Sequence, residues 1–486
     1  MLRRYALTLA AVFALMPLGT SAQTVKQLTH QPPDGALITF QMTDGTVLAQ
    51  GNGYNDWYKL TPDNTGSYIN GTWTKMASLP SGYAPLYFAS AVLADGRLVI
   101  SGGEYNFGQF AFTNLGAIYD PLANKWASIG HPKGWGFIGD SPSIVLPTGQ
   151  FVVGEKMKKD IASLDPVTLK WTELSNTGKH DENAEEGWTL MPDGTFLTFD
   201  VKAFPKSERY YASAGKWLDA GSTGVILRTP QNCCGCIPYG NKGKCYLPPG
   251  EVGPGILRPD GTVFATGGIP EGQSVAHSAI YSPPSKANPK GTWTAGPDFP
   301  NGDQAADTFA SLLPDGNVLV EGSNGGRLYE FDGTKLNQTA FSVGGSYTPL
   351  MVLPTGEVLI GGFEVYQPKG TYKASWAPTI TTSPAAVTRG STYPISGTQF
   401  NGLSQANAFG DEDDTKTNYP LVRITNNSTG HVFYARTHDH STMAVATGSA
   451  TVSTNFDVPS GMETGASSLV VVANGIPSAS VAVTVN

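Results

Sequence analysis

Seven times along this chain, two apolar strands flank a short turn ending in glycine: FQMTDGTVLAQG, AVLADGRLVISGG, IVLPTGQFVVGE, TLMPDGTFLTFD, ILRPDGTVFATGG, SLLPDGNVLVEGS and MVLPTGEVLIGG. Asp-Gly between apolar runs is a strong hairpin signal, because glycine accepts the positive φ that tight hairpin turns demand. The turn glycines Gly45, Gly96, Gly149, Gly194, Gly261, Gly316 and Gly356 stand 40 to 67 residues apart, room for four strands in each repeat. A second beat follows most hairpins: a tyrosine-bearing strand, a turn and an aromatic strand, as in IYDPLANKW and ERYYASAGKW. Trp73, Trp126, Trp171, Trp217 and Trp293 mark five repeats, while Leu336 and Tyr372 take this place in the sixth and seventh. Their expected role is packing between neighbouring sheets.

Composition agrees with many short strands joined by turns. Charged residues make up only 14% of the chain, against 58 glycines and 35 prolines. The net charge of −8 comes without a long basic run, which disfavours nucleic acid and anionic membrane surfaces as partners. Residues 1–22 carry Arg3 and Arg4, then an apolar stretch, then a small-residue end at Ser21-Ala22, the pattern of a secretory signal peptide. No other segment has the length of unbroken apolar sequence that a membrane helix needs. The mature chain is expected to be secreted or periplasmic, and monomeric.

After Trp376 the rhythm changes. The stretch from APTITTSPAAVTRG to ASSLVVVANGIPSASVAVTVN has alternating β-branched strands and neither the hairpin nor the tryptophan beat. The predicted organisation is therefore a repeat domain over 23–376 and an immunoglobulin-like sandwich over 377–486.

The motif of apolar strand, Asp-Gly turn, Gly-Gly, then Tyr and Trp resembles the kelch repeat. That resemblance implies a seven-bladed β-propeller. A kelch propeller followed by such a sandwich is similar to the galactose oxidase and glyoxal oxidase family, most closely at 83–126 and at the ending VVVANGIPSASVAVTV. The family implies a copper-radical oxidase that converts primary alcohols or aldehydes and reduces O₂ to peroxide. Its copper is held by two tyrosines and two histidines, one tyrosine being cross-linked to a cysteine.

Carried over position by position, the resemblance puts Tyr87 at the cross-linked tyrosine, nine residues before Gly96. The axial tyrosine and its adjacent histidine fall on Ser346 and Tyr347, so the histidine is absent and the tyrosine displaced. The first-blade region THQPPDGALITFQMTDG has no cysteine for the cross-link. The remaining ligand, a histidine on a loop of the second domain that reaches through the propeller channel, falls at ARTHDHST, on His438 or His440. The metal ligands implied in this way are Tyr87, Tyr347, His438 and His440, with Tyr87 the catalytic residue of an oxidase.

The strand-entry positions also carry carboxylates: Asp140, Glu185 with Glu186, Glu251 and Asp307. They predict a partial acidic ring at one channel mouth, suited to a cation or to sugar hydroxyls. Trp135, between glycines on the same side, is a candidate for stacking on a sugar ring. The run HDENAEEGW is expected to be an exposed loop. Cys233, Cys234, Cys236 and Cys245 crowd one insertion and, in an exported chain, read as two disulfides.

Three readings follow. One is a non-radical relative that binds a carbohydrate or envelope ligand at a propeller face, with or without a metal. The others are a copper oxidase with rearranged ligands and a structural or protein-interaction propeller.

Overall fold

The computed structural model describes residues 23–231, 237–239, 244–345 and 347–486. Residues 1–22, where a signal peptide is expected, Ser346 and three of the four cysteines lie outside them. The protein is all-β: seven four-stranded antiparallel sheets form the blades of a propeller, and strands after Trp376 form an immunoglobulin-like sandwich. Among the described residues no helix is long and apolar enough to cross a membrane.

Each turn glycine does what the hairpin motif requires. Gly45, Gly96, Gly149, Gly194, Gly261, Gly316 and Gly356 all have φ between 78° and 89°, a region closed to most side chains. The second beat is equally direct. Tyr119 pairs with Trp126, Tyr210 with Trp217 and Tyr281 with Trp293 across adjacent strands. Their ring centroids lie 5.1, 5.2 and 5.1 Å apart. Trp57 of blade one meets Trp126 of blade two at 4.9 Å, so aromatic packing joins blades as well as strands.

The seventh repeat departs from expectation. Its outer strand does not come from the region of Tyr372, which is exposed and outside any strand. Instead Thr24–Gln27 pairs antiparallel with Glu364–Gln367, so a strand from before the first repeat completes the last blade. This pairing ties the strand before the first repeat to the last blade and so closes the ring.

The hairpin-turn end of the propeller faces the sandwich. Thr437 donates its amide to Thr43 O, Arg436 donates to Asp95 O at 2.6 Å, and His440 donates its amide to Ala94 O. Between the strands Thr392–Thr398 and Leu421–Asn426, residues 399–420 leave the sandwich and run into the propeller channel. Almost every residue of this finger is buried.

The finger touches every blade. Asn407–Ala408 pairs with the innermost strand of blade six. The Asn407 amide oxygen accepts from Ser311 Oγ and from the Val352 amide of blade seven. Gln405 accepts from the Leu190 amide of blade four, Lys416 donates to Ser143 O of blade three, and Tyr419 donates to Gln41 O of blade one. Asp413 donates its amide to Phe88 O of blade two. Gly410 lies so close to blade five that a Cβ there would stand 2.6 Å from the Val252 carbonyl oxygen.

Candidate functional site

The finger's tip reads Gly410-Asp411-Glu412-Asp413-Asp414, four consecutive carboxylates, each under a tenth exposed. It arrives at the mouth opposite the hairpin turns, where the blades' inner strands begin. Tyr87, Asp140, Glu185, Asp307 and Tyr347 each stand nine residues before their turn glycine and Glu251 stands ten before, so one repeat position brings them together. Glu104 joins from a small sheet inserted in blade two, made by Pro85–Leu86, Tyr105–Asn106 and Gln109–Phe110. Tyr246 comes from a hairpin in the long insertion of blade four.

Backbone strain gathers here too. Tyr87, Glu185, Asp307 and Tyr347 have φ of 56°, 58°, 49° and 63°, and Asp413 has 42°. Each left-handed non-glycine residue costs roughly 1–2 kcal/mol. Such residues cluster at ligand and active sites when the surrounding fold over-determines them.

The charge balance is lopsided. Eight carboxylates feel one another at the mouth: Glu104, Asp140, Glu185, Glu251, Asp307, Asp411, Glu412 and Asp413. Lys156, almost wholly buried, is the cation among them: it bonds Asp140, lies 2.7 Å from Glu185 Oε2 and 4.0 Å from Asp411 Oδ2. Burial works against its charge, and Asp140 and Glu185 overcome that and hold it protonated. Glu185 is likewise held below the usual carboxylate range despite burial, by Lys156 and by bonds that include the 2.6 Å one from Tyr246 Oη.

The remaining acids go the other way. Burial, then neighbouring carboxylates, pushes Asp140, Glu251, Asp307 and Glu412 well above their ordinary values. Burial pushes Asp411 up to about 7 and Asp413 up to about 8. Asp414 is better compensated by Lys416 at 2.6 Å and reaches about 6.

Asp140, Asp411 and Glu412 each offer an oxygen within 4.8 Å of the others. Two carboxylate charges at that distance repel by about 3.5 kcal/mol at an effective dielectric constant near 20. Asp140 Oδ1 and Asp411 Oδ2 are buried without a hydrogen-bond partner. Buried charge of this kind is tolerated only when protons or a cation compensate it.

Beside the acids runs an arc of half-buried aromatic rings. Tyr87 meets Tyr105 edge-on at 6.0 Å, Tyr105 meets Phe110 at 5.8 Å, and Phe110 meets Phe112 at 4.9 Å. Phe112 stacks on Phe137 at 5.4 Å and meets Tyr246 at 5.8 Å.

The structure corrects several expectations. His438 and His440 do not enter the channel mouth. His440 lies beside Ala94, at the far end of the inner strand that Tyr87 begins, which at about 3.3 Å per residue puts it roughly 20 Å away. Nor do the two imidazoles share a face, because Asp439 has φ 52° and breaks the strand between them. His438 is clasped by Asp439 at 2.7 Å and Asp457 at 3.1 Å. His440 is buried, bonds Thr454 Oγ1 at 2.8 Å and stacks on Tyr419, and burial drives its pKa down to about 3. Of the four proposed metal ligands, only Tyr87 and Tyr347 reach the mouth.

Trp135 is 4% exposed within the core of blade two and offers no stacking face. Glu186 parts from Glu185 and turns into blade four, bonded to Lys179. The run HDENAEEGW is not an exposed loop: Asp181, Asn183, Ala184 and Glu186 are all buried. Cys245 is disulfide-bonded, and Cys233, Cys234 and Cys236 lie outside the described residues.

The finger tip is the functional element that the sequence reading missed. Its signal was four acids in succession in a charge-poor chain, within a stretch, 399–420, that shows no strand alternation.

No family model matches the chain, and no curated protein matches it. Among solved structures it resembles a fungal alcohol oxidase of the AA5 family in complex with copper, with a TM-score of 0.51 at 12% identity over 96% of this chain and 100% of that one. A virginiamycin B lyase from Staphylococcus aureus gives 0.44 at 10% identity, over 71% of this chain and 98% of that one. The first likeness shows the fold: a propeller-and-sandwich architecture held in common with a copper alcohol oxidase.

The residues at this mouth do not fit copper in that role. Its donors are carboxylates and phenols, and the described residues contribute neither histidine nor thiolate. Burial, then Asp413 and Glu412, pushes the Tyr87 phenol far up, so in the metal-free site it stays protonated. An all-oxygen set suits Ca²⁺, Mg²⁺ or Mn²⁺ instead.

Proposed function

We propose that this protein is an exported, non-radical propeller that binds a hard divalent cation of the Ca²⁺ class at the channel mouth and, through it, a carbohydrate. The observation that carries the reading is the buried tip Asp411-Glu412-Asp413 set against Asp140, with unpartnered oxygens and, among the described residues, one lysine to offset eight carboxylates. A cation with open coordination positions accepts vicinal hydroxyls of a sugar. The arc from Tyr87 to Phe137 lines the same mouth with half-buried aromatic rings, the residue type that packs against sugar rings. Both halves of the site sit at one face, as binding of a polyhydroxylated ligand requires.

The test is glycan-array and calorimetric binding with Ca²⁺ or with EDTA. Expected are binding only with the cation, loss in Glu412→Gln, and at least tenfold weakening in Phe112→Ala with cation uptake retained. Binding indifferent to EDTA and to Glu412→Gln would remove the cation from the reading. Stoichiometric copper and peroxide release on primary alcohols would overturn the non-radical assignment.

A further inference from the structure

Adjacent residues Glu185 and Glu186 serve two different clusters. Glu186 turns away from the channel into blade four and is completely buried, as is Glu208, while Asp181 and Asp200 are under a tenth exposed. Lys179 donates to Glu186 Oε2 at 2.7 Å and to Glu208 Oε1 at 2.8 Å, with its ammonium 4.7 Å from the Trp217 ring. His180 bonds Asp200 Oδ2 at 2.7 Å, and its amide donates to Glu208 Oε2 at 2.8 Å. Asp181 Oδ2 accepts the amides of Lys202 and Ala203.

After these bonds are drawn, one oxygen remains on each of three acids. Asp181 Oδ1, Glu186 Oε1 and Asp200 Oδ1 are buried and have no hydrogen-bond partner. Four carboxylates face Lys179 and His180, so even with the imidazole protonated two formal negative charges are left for protons or a cation to compensate. Asp181, Glu186, Asp200 and Glu208 each place an oxygen within 4.8 Å of the others. That is about the span across a Ca²⁺ ion whose oxygen ligands lie roughly 2.3–2.6 Å from it.

We propose that these four carboxylates form a second cation site, for a divalent ion of the Ca²⁺ class, independent of the channel mouth. It ties the segment 179–188 to the two middle strands of blade four. In doing so it anchors the residue next to Glu185, whose backbone is held at φ 58° in the mouth. Its role is structural: it fixes a wall of the binding face without touching the ligand.

The full mature chain, stripped with EDTA and titrated with Ca²⁺ and with Tb³⁺, tests this. Trp217 beside the cluster should sensitise Tb³⁺ luminescence. Glu186→Gln should weaken that emission at least tenfold and lower the Ca²⁺ stoichiometry by one, whereas Glu412→Gln should leave the tryptophan-sensitised emission intact. Should Glu186→Gln fail to fold, Asp181→Asn replaces it, since the asparagine carbonyl still accepts the Lys202 and Ala203 amides. Absence of tryptophan-sensitised emission in the wild type, or its survival in a folded variant, overturns the site. A silent Glu412→Gln bears only on the channel mouth, so the two readings fail separately.

Discussion

Replacing Asp411 with asparagine should make the cation-free protein more stable, and only at high pH. In the fold this carboxyl is pushed from an ordinary 3.8 to about 7, by burial first and then by neighbours such as Glu185. A carboxylate whose folded pKa is raised binds more protons in the native state than in the unfolded one. Stability therefore falls as pH rises from about 4 to 7, then levels off. At 1.36 kcal/mol per pH unit, the loss for this one group is on the order of 4 kcal/mol. Asp411→Asn removes the charge while keeping a side chain of the same size beside Glu185. In EDTA the variant should match the wild type near pH 4 and exceed it by several kcal/mol at pH 8, read by urea denaturation. With millimolar Ca²⁺ the order should reverse, because the variant has lost a ligand oxygen and the wild type gains binding energy that the unfolded chain does not. A variant destabilised equally at both pH values, with or without Ca²⁺, would refute the premise that uncompensated charge dominates the mouth.

Gly410→Ala should cost about 1–3 kcal/mol, because its Cβ would press on the Val252 carbonyl oxygen and displace the finger; calorimetry should show weaker Ca²⁺ binding alongside a lower melting temperature. His440→Ala should destabilise by roughly 0.5–3 kcal/mol through lost packing on Tyr419, and neither it nor His438→Ala should change metal content measured by elemental analysis. Trp135→Ala should cost about 3–5 kcal/mol of stability as a core truncation, with ligand affinity of the folded fraction unchanged, in contrast to Phe112→Ala.

The propeller was legible because its instructions are local. A hairpin needs only a glycine at positive φ and apolar strands on either side, and the Tyr–Trp pairs are partners in adjacent strands. Blade closure was not legible, since Thr24–Gln27 carries no mark of the partner strand it meets some 340 residues away. Asp140, Glu185, Glu251 and Asp307 were found because a repeat converts equal spacing from the turn glycine into equal height at the mouth. Glu186 shows the limit of that rule: Glu185 sits in a turn at φ 58°, ahead of the strand, and the carboxylate one step along leaves that turn for another cluster. The finger was misplaced because two histidines look more like ligands than a run of aspartates does. Which loop enters the channel depends on the path between two sandwich strands, and neither periodicity nor spacing records that path.

Geometry explains how this fold can carry an acidic tip at its channel mouth. The finger's hold on the propeller lies mostly below its tip, in the pairing with blade six and the bonds of Gln405, Asn407, Lys416 and Tyr419. The ring residues, in turn, are placed by hairpins whose turns lie at the opposite end of the channel. Neither support depends on which side chains meet at the mouth. An acidic tip can thus occupy the end of the channel while the blades stay in register, at a cost confined to local charge and to the strained entry residues. The proposed cation would convert that cost into binding: it would neutralise carboxylates that could not otherwise all ionise.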